Sequence, residues 1–151
     1  HTRSVSAFLL NRSSDLGEYA SLQWIRDTGL DKIRDHELSL TAYFLEGIQK
    51  LDPDKKHIRV IGKSTIDGRT GVVSIQTLQM DTAQVAFELD EAYGIMTRVG
   101  LHCAPAAHKT LHTYPTGTIR FSFGWWNTIQ DMDAALAALT HILQIGDHYG
   151  I

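Results

Sequence analysis

The chain has 151 residues, 43% apolar and 21% charged, which is the length and composition of one soluble globular domain with a sizeable core. Fourteen basic residues against 17 acidic ones leave a net charge of −3, and no basic run is present to follow a phosphate backbone, so nucleic acid is not an expected partner. No apolar run approaches a membrane span, and a single cysteine forbids an internal disulfide; the chain reads as soluble and cytoplasmic.

The first residue is His1, and residues 1–14 hold only a short apolar patch, Ala7 to Leu10. That patch is too short for a secretory leader, so the segment reads as a tag remnant or a cut end. Asp15 to Asp27 carries Leu16, Tyr19, Leu22 and Ile25 at threes and is predicted helical. Thr28-Gly29 interrupts the pattern. It resumes from Leu30 with Ile33, Leu40, Phe44, Ile48 and Leu51 on one side, until Pro53 stops it.

His57 to Lys63 and Val72 to Leu78 are predicted strands, with a turn over Asp67 to Gly71 between them. Asp81 with Gln84 has capping-box spacing for a helix through Leu89, and Gly94 suits the left-handed position after it. Ile95 to Val99 is predicted as a short strand. Gly100 to Gly117 is irregular apart from a helical turn at Pro105 to Leu111.

Thr118 to Trp125 then alternates, with Ile119, Phe121, Phe123 and Trp125 on one face and Thr118, Arg120, Ser122 and Gly124 on the other. Thr128 and Asp131 cap a last helix through Met132, Leu136, Leu139 and Leu143, which Gly146 can close. The order predicts an α/β domain of the α+β type: a largely antiparallel sheet of about four strands with helices packed on one face.

The irregular segment carries the most reactive side chains. Cys103 reads as a loop nucleophile beside Arg98, His102 and Lys109, cations that favour a thiolate, or as a small packed hydrophobe. His102, Cys103, His108 and His112 have zinc-ligand chemistry, but no second separated ligand pair accompanies them, and no metal is expected. Arg120 projects away from the predicted core, where its guanidinium can grip a carboxylate through two parallel bonds or simply face solvent. Trp125-Trp126 reads as core and rim packing.

Gly94-Ile95-x-x-Arg98-x-Gly100-Leu101-His102-Cys103-Ala104-Pro105, followed by Gly117-Thr118-x-Arg120-Phe121-Ser122-x-Gly124 and Asn127-Thr128, resembles the C-terminal region of cysteine desulfurases of the class V aminotransferase family. Thr28 to Arg34 with His36-Glu37 is similar to the helix entering that family's small domain. The resemblance covers about Leu16 to Leu143, so residues 15–151 read as a small domain like that of fold-type I enzymes, and residues 1–14 as a segment outside the family.

The resemblance implies that Cys103 is the persulfide-forming nucleophile, Arg120 the residue holding the substrate carboxylate, and Arg98 a supporting arginine. It also implies pyridoxal phosphate as cofactor and an L-cysteine-like substrate, hence a role in sulfur metabolism. The family's cofactor lysine, ring-stacking histidine and pyridine-nitrogen aspartate lie in a large domain that has no counterpart here. Ala107-His108-Lys109 copies the His-Lys pair only superficially, and His112 stands where the family has glycine. The chain alone is therefore expected to bind no cofactor, to be inactive, and to dimerise or self-associate through its uncovered surface. The alternative is a non-catalytic binding or sulfur-carrier module that reuses the fold.

Overall fold

The computed structural model describes residues 3–63 and 65–145, which divide into two compact units, one ending at Asp35 and one starting at His36. The first unit holds α1 (Arg3–Thr28) and the start of α2 (Leu30–Leu51). The helix begins well before Asp15, because residues 3–14 contain neither glycine nor proline to stop it. Gly29 is a one-residue joint at φ +91°. The bonds from Gly29 N–H to Ile25 O (2.9 Å) and from Ile33 N–H to Gly29 O (3.2 Å) carry helical pairing through it. Leu16, Tyr19 and Leu22, spaced as a packing stripe, are exposed.

The second unit contains one antiparallel sheet in the order β1-β2-β4-β3, built from β1 (Ile58–Ile61), β2 (Val72–Thr77), β3 (Arg98–Gly100) and β4 (Thr118–Ser122). With α3 (Thr82–Tyr93), α4 (Pro105–Thr110) and α5 (Ile129–Ile142) it forms the α+β architecture expected from the sequence. The period of two in β4 sends Ile119 and Phe121 inward beside Val73 and Ile75 of β2, and all four are buried. Leu40, Phe44 and Ile48 of α2, Val85 and Leu89 of α3, and Met132, Ala135 and Leu139 of α5 close over them. The Phe44 ring lies 5.0 Å from Phe121 and 5.2 Å from Phe123.

The helix ends follow their sequence signals. Asp81 accepts N–H bonds from Ala83 and Gln84, both 3.0 Å. Thr128 and Asp131 form a reciprocal capping box, and Gly94 closes α3 at φ 66°. Gly146, expected to close α5, lies outside the described residues.

Two boundaries differ from expectation. β3 starts at Arg98 and not at Ile95, because Ile95 N–H is used by Leu89 O (2.8 Å) in the last turn of α3. β4 ends at Ser122, because Gly124 to Asn127 folds into a turn closed by Asn127 N–H to Gly124 O (3.0 Å). Trp125 thereby leaves the core row and meets the His36 ring edge-on at 5.3 Å, while Trp126 is exposed.

One local device was invisible in the sequence. Pro53 stops α2, and the buried carboxylate of Asp52 then accepts N–H bonds from Lys56, His57 and Ile58 at 3.0, 2.8 and 2.8 Å, steering the chain into β1. Burial opposes ionisation of Asp52, but these three donors outweigh it and hold the carboxyl below its ordinary range.

Candidate functional site

The outward face of the sheet carries the residues that the core leaves over. Across the strands, Ser74 of β2 stands opposite Arg120 of β4, and Arg120 stands opposite Arg98 of β3. Two like charges facing each other across a ladder repel unless a counter-charge joins them. Among the described residues no carboxylate pairs with either arginine, and Arg120 Nε is buried without a hydrogen-bond partner. The pair is chemically suited to a small anion, and a carboxylate fits the geometry of the guanidinium fork.

Cys103 lies on a tight turn that follows β3. His102 and Cys103 are its central residues, both at positive φ (50° and 59°), and Ala104 N–H closes it on Leu101 O at 2.8 Å. A side-chain-bearing residue at positive φ costs about 1–2 kcal/mol, so two in succession persist only if the surroundings hold them. The anchors are specific. His102 Nε2 shares a 3.1 Å hydrogen bond with Thr118 Oγ1 at the start of β4. The His102 and His108 rings pack at 5.7 Å, and buried His108 shares a 2.6 Å bond through Nδ1 with buried Thr113.

The segment also leaves and rejoins the sheet at a pinch. Gly100 of β3 pairs with Thr118, and a Cβ on Gly117 would collide with the Gly100 backbone. Gly117 itself sits at φ 79°. Farther along, the Arg59 guanidinium of β1 donates through Nη2 to Leu111 O (3.0 Å) and His112 O (3.1 Å), tying the end of α4 to the outward face.

The electrostatics of the turn follow from this placement. Burial, then the charges of Arg120, His108 and Arg98, hold the His102 imidazole below its ordinary pKa, so it is neutral at pH 7. Its Nδ1 is buried without a partner. The Cys103 thiol is exposed, which decides against the packed-hydrophobe reading and leaves sulfur free to meet a reactant.

The metal set does not assemble: His108 faces Thr113, Cys103 and His112 are exposed, and no group of three or more ligands occurs among the described residues. Nor do the side chains here fit a pyridoxal phosphate site. Lys109, the lysine of the segment, holds its ammonium 5.3 Å from the Tyr114 ring centre rather than beside the arginine pair. No helix of the described residues is long and apolar enough to cross a membrane.

Sequence reasoning singled out Cys103, Arg98 and Arg120; the structure sets Arg98 opposite Arg120 across the ladder and puts Cys103 on the exposed turn beside His102, whose ring is bonded to Thr118. It missed the anchors Thr118, His108, Thr113 and Arg59. Only Thr118 had a signal, its place in the outward row of the β4 alternation.

The aminotransferase class-V family matches residues 13–135. A probable cysteine desulfurase of Pyrococcus abyssi is 31% identical over 134 residues, which is 89% of this chain and 31% of that protein. A probable cysteine desulfurase of Halalkalibacterium halodurans is 35% identical over 124 residues, covering 82% of this chain and 28% of that protein. The apo structure of a cysteine desulfurase from Thermococcus onnurineus NA1 superposes with a TM-score of 0.74 at 28% identity, covering 83% of this chain and 29% of that one. The chain thus spans less than a third of the length of these relatives.

Proposed function

The chain belongs to the aminotransferase class-V family, and from that premise we propose that residues 15–151 act as the small domain of a pyridoxal-phosphate-dependent cysteine desulfurase-like enzyme. The Cys103 thiolate forms an S–S bond to the sulfur of an L-cysteine-like substrate as the substrate's C–S bond breaks, and the electron pair of that bond stays on the carbon skeleton, which takes a proton and leaves as alanine. Arg120, supported by Arg98, holds the carboxylate of an L-cysteine-like substrate. The observation that carries this reading is the shared face: Arg98 and Arg120 confront each other without a counter-ion, and the cysteine turn is tethered through His102 to the same strand as Arg120.

Pyridoxal phosphate supplies the electron sink for this chemistry when an enzyme of the family holds it. The side chains around the arginine pair do not fit it, so the chain's own contribution is confined to the thiol and the carboxylate grip. Neutral His102 adds no positive charge beside the arginines. Its contact with Thr118 fixes the turn, so the exposed thiol is presented from a set position.

The test supplies the chain with the cofactor-binding part of a homologous desulfurase and L-cysteine, then maps persulfide by thiol alkylation and mass spectrometry. Cys103→Ser should abolish persulfide and alanine production while circular dichroism stays unchanged. Arg120→Lys should keep the persulfide but raise KM for cysteine about tenfold or more, because an ammonium cannot reproduce the bidentate grip. Desulfuration that survives Cys103→Ser overturns the reading.

A further inference from the structure

The open edge of β1 carries a groove that the cysteine site does not use. Among the described residues β1 is the terminal strand and pairs with β2 alone. The bond from Leu78 N–H to His57 O (2.9 Å) fixes the phase of their ladder: odd-numbered residues turn their backbone groups toward β2 and even-numbered ones toward the open edge. At the head of the strand Ile58 sends its N–H away from β2 to Asp52, as that phase requires, while Lys56 and His57, which precede the strand, give theirs to the same carboxylate. Past that point, the Ile58 carbonyl and both backbone groups of Val60 face outward, which is a template for one more strand.

Beneath this edge, between α2 and β1, lies a cavity of about 340 Å³ lined by Leu45, Ile48, Ile58 and Val60, with Lys55 and Arg59 also on its wall. The side chains on its wall carry two positive charges, Lys55 and Arg59, against one negative charge, Asp52. The acidic residue there, Asp52, is buried and already accepts three backbone N–H bonds. Arg59 is half-buried. Its Nη2 is satisfied by two neutral carbonyls, its Nε is buried without an acceptor, and among the described residues no carboxylate pairs with it. Carbonyls satisfy the hydrogen bonds of a guanidinium but do not neutralise its charge, so the outward side of this edge, where the guanidinium lies, favours an anionic visitor.

We propose that this groove docks an extended, carboxylate-bearing peptide segment of a partner protein, added as a strand to the edge of β1. Main-chain bonds to Ile58 and Val60 supply the register, an aliphatic side chain fills the cavity between α2 and β1, and the carboxylate answers Lys55 and Arg59. The proposal does not depend on the sulfur-transfer reading, since none of these residues belongs to the cysteine site.

The probe is a heptapeptide of alternating valine and glutamate, titrated into the isotope-labelled full chain and followed by backbone amide NMR. Saturable shifts are expected at Ile58 and Val60 and on α2 at Leu45 and Ile48. Binding should weaken about tenfold when lysine replaces glutamate in the peptide or when Arg59→Gln removes the cation. It should vanish with the N-methylated peptide, a change that leaves the protein untouched. Equal binding of the N-methylated peptide, shifts confined to other surfaces, or no saturable shift would overturn the proposal. Concentration-dependent shifts of β1 without peptide would give the edge to a second copy of the chain and overturn it equally.

Discussion

On the inner face of the sheet, Phe44, Ile75, Ile119 and Leu139 have no exposed surface and share many apolar neighbours. On the outer face, Arg98, Arg120 and His102 are placed by cross-strand register, one 3.1 Å hydrogen bond and a turn at positive φ. The inner face is held by non-directional burial, which tolerates exchange of similar volumes and drives most of the folding free energy. The outer face spends some of that stability on unpaired charge and backbone strain, the condition in which binding and reactive groups are usually found. Substitutions should therefore separate: inner ones act on stability, outer ones on the presentation of the thiol.

The largest effect is expected from Phe44→Ala. The ring contacts both Phe121 and Phe123 and is wholly buried, so its removal leaves a cavity in the middle of the core. Urea unfolding should show a loss of about 3–5 kcal/mol. In conditions where the variant is still folded, Cys103 should alkylate at the parental rate. A changed alkylation rate without a stability loss would break the separation.

Gly117→Ala probes the seam between the two faces. The position is at φ 79° and faces the Gly100 backbone, so an added methyl meets both strain and collision. The expected cost is about 2 kcal/mol, smaller than that of Phe44→Ala. Amide shifts should centre on Gly100, His102 and Thr118 rather than on the core. Shifts spread through α2 and α5 instead would mean that the cysteine segment is not an independent appendage of the sheet.

How much of this was readable in the sequence follows the same division. Period-two alternation over Ile119, Phe121 and Phe123 and the caps at Asp81 and Thr128 are local signals, and each gave its element. Trp125 broke the alternation because Gly124 and Asn127 turn the chain there, a preference that a run of aromatics conceals. In the site, Cys103, Arg98 and Arg120 could be picked out by residue type and resemblance. Arg59 could not, since its partners are carbonyls 52 and 53 residues away, and every residue type carries a carbonyl. The pairing of His108 with Thr113 was equally silent, because neither residue type nor a spacing of five specifies a buried side-chain contact.

The smallest effect, and the sharpest discriminator, is the acid response of the outer face. In the unfolded chain His102 titrates near 6.5, while in the fold burial and then Arg120, His108 and Arg98 disfavour its charged form. Between the lowered folded pKa and 6.5 the unfolded chain binds more protons, so stability rises with pH through that window and is lost as pH falls through the folded pKa. Above 6.5 both states are neutral and the group contributes nothing. Asp52 has the same sign lower down: its stabilisation is complete above the unfolded value of 3.8 and is lost as pH falls through its depressed folded pKa. Acid should thus act first on the outer face and only later on the junction into β1. NMR titration of the His102 ring should give a midpoint below 6.5, and His102→Gln should remove the upper step of stability against pH while sparing the lower. A midpoint at or above the unfolded value would mean that neither burial nor the cations of the outer face disfavour the charged ring, and the thiol beside it would then be presented by backbone geometry alone.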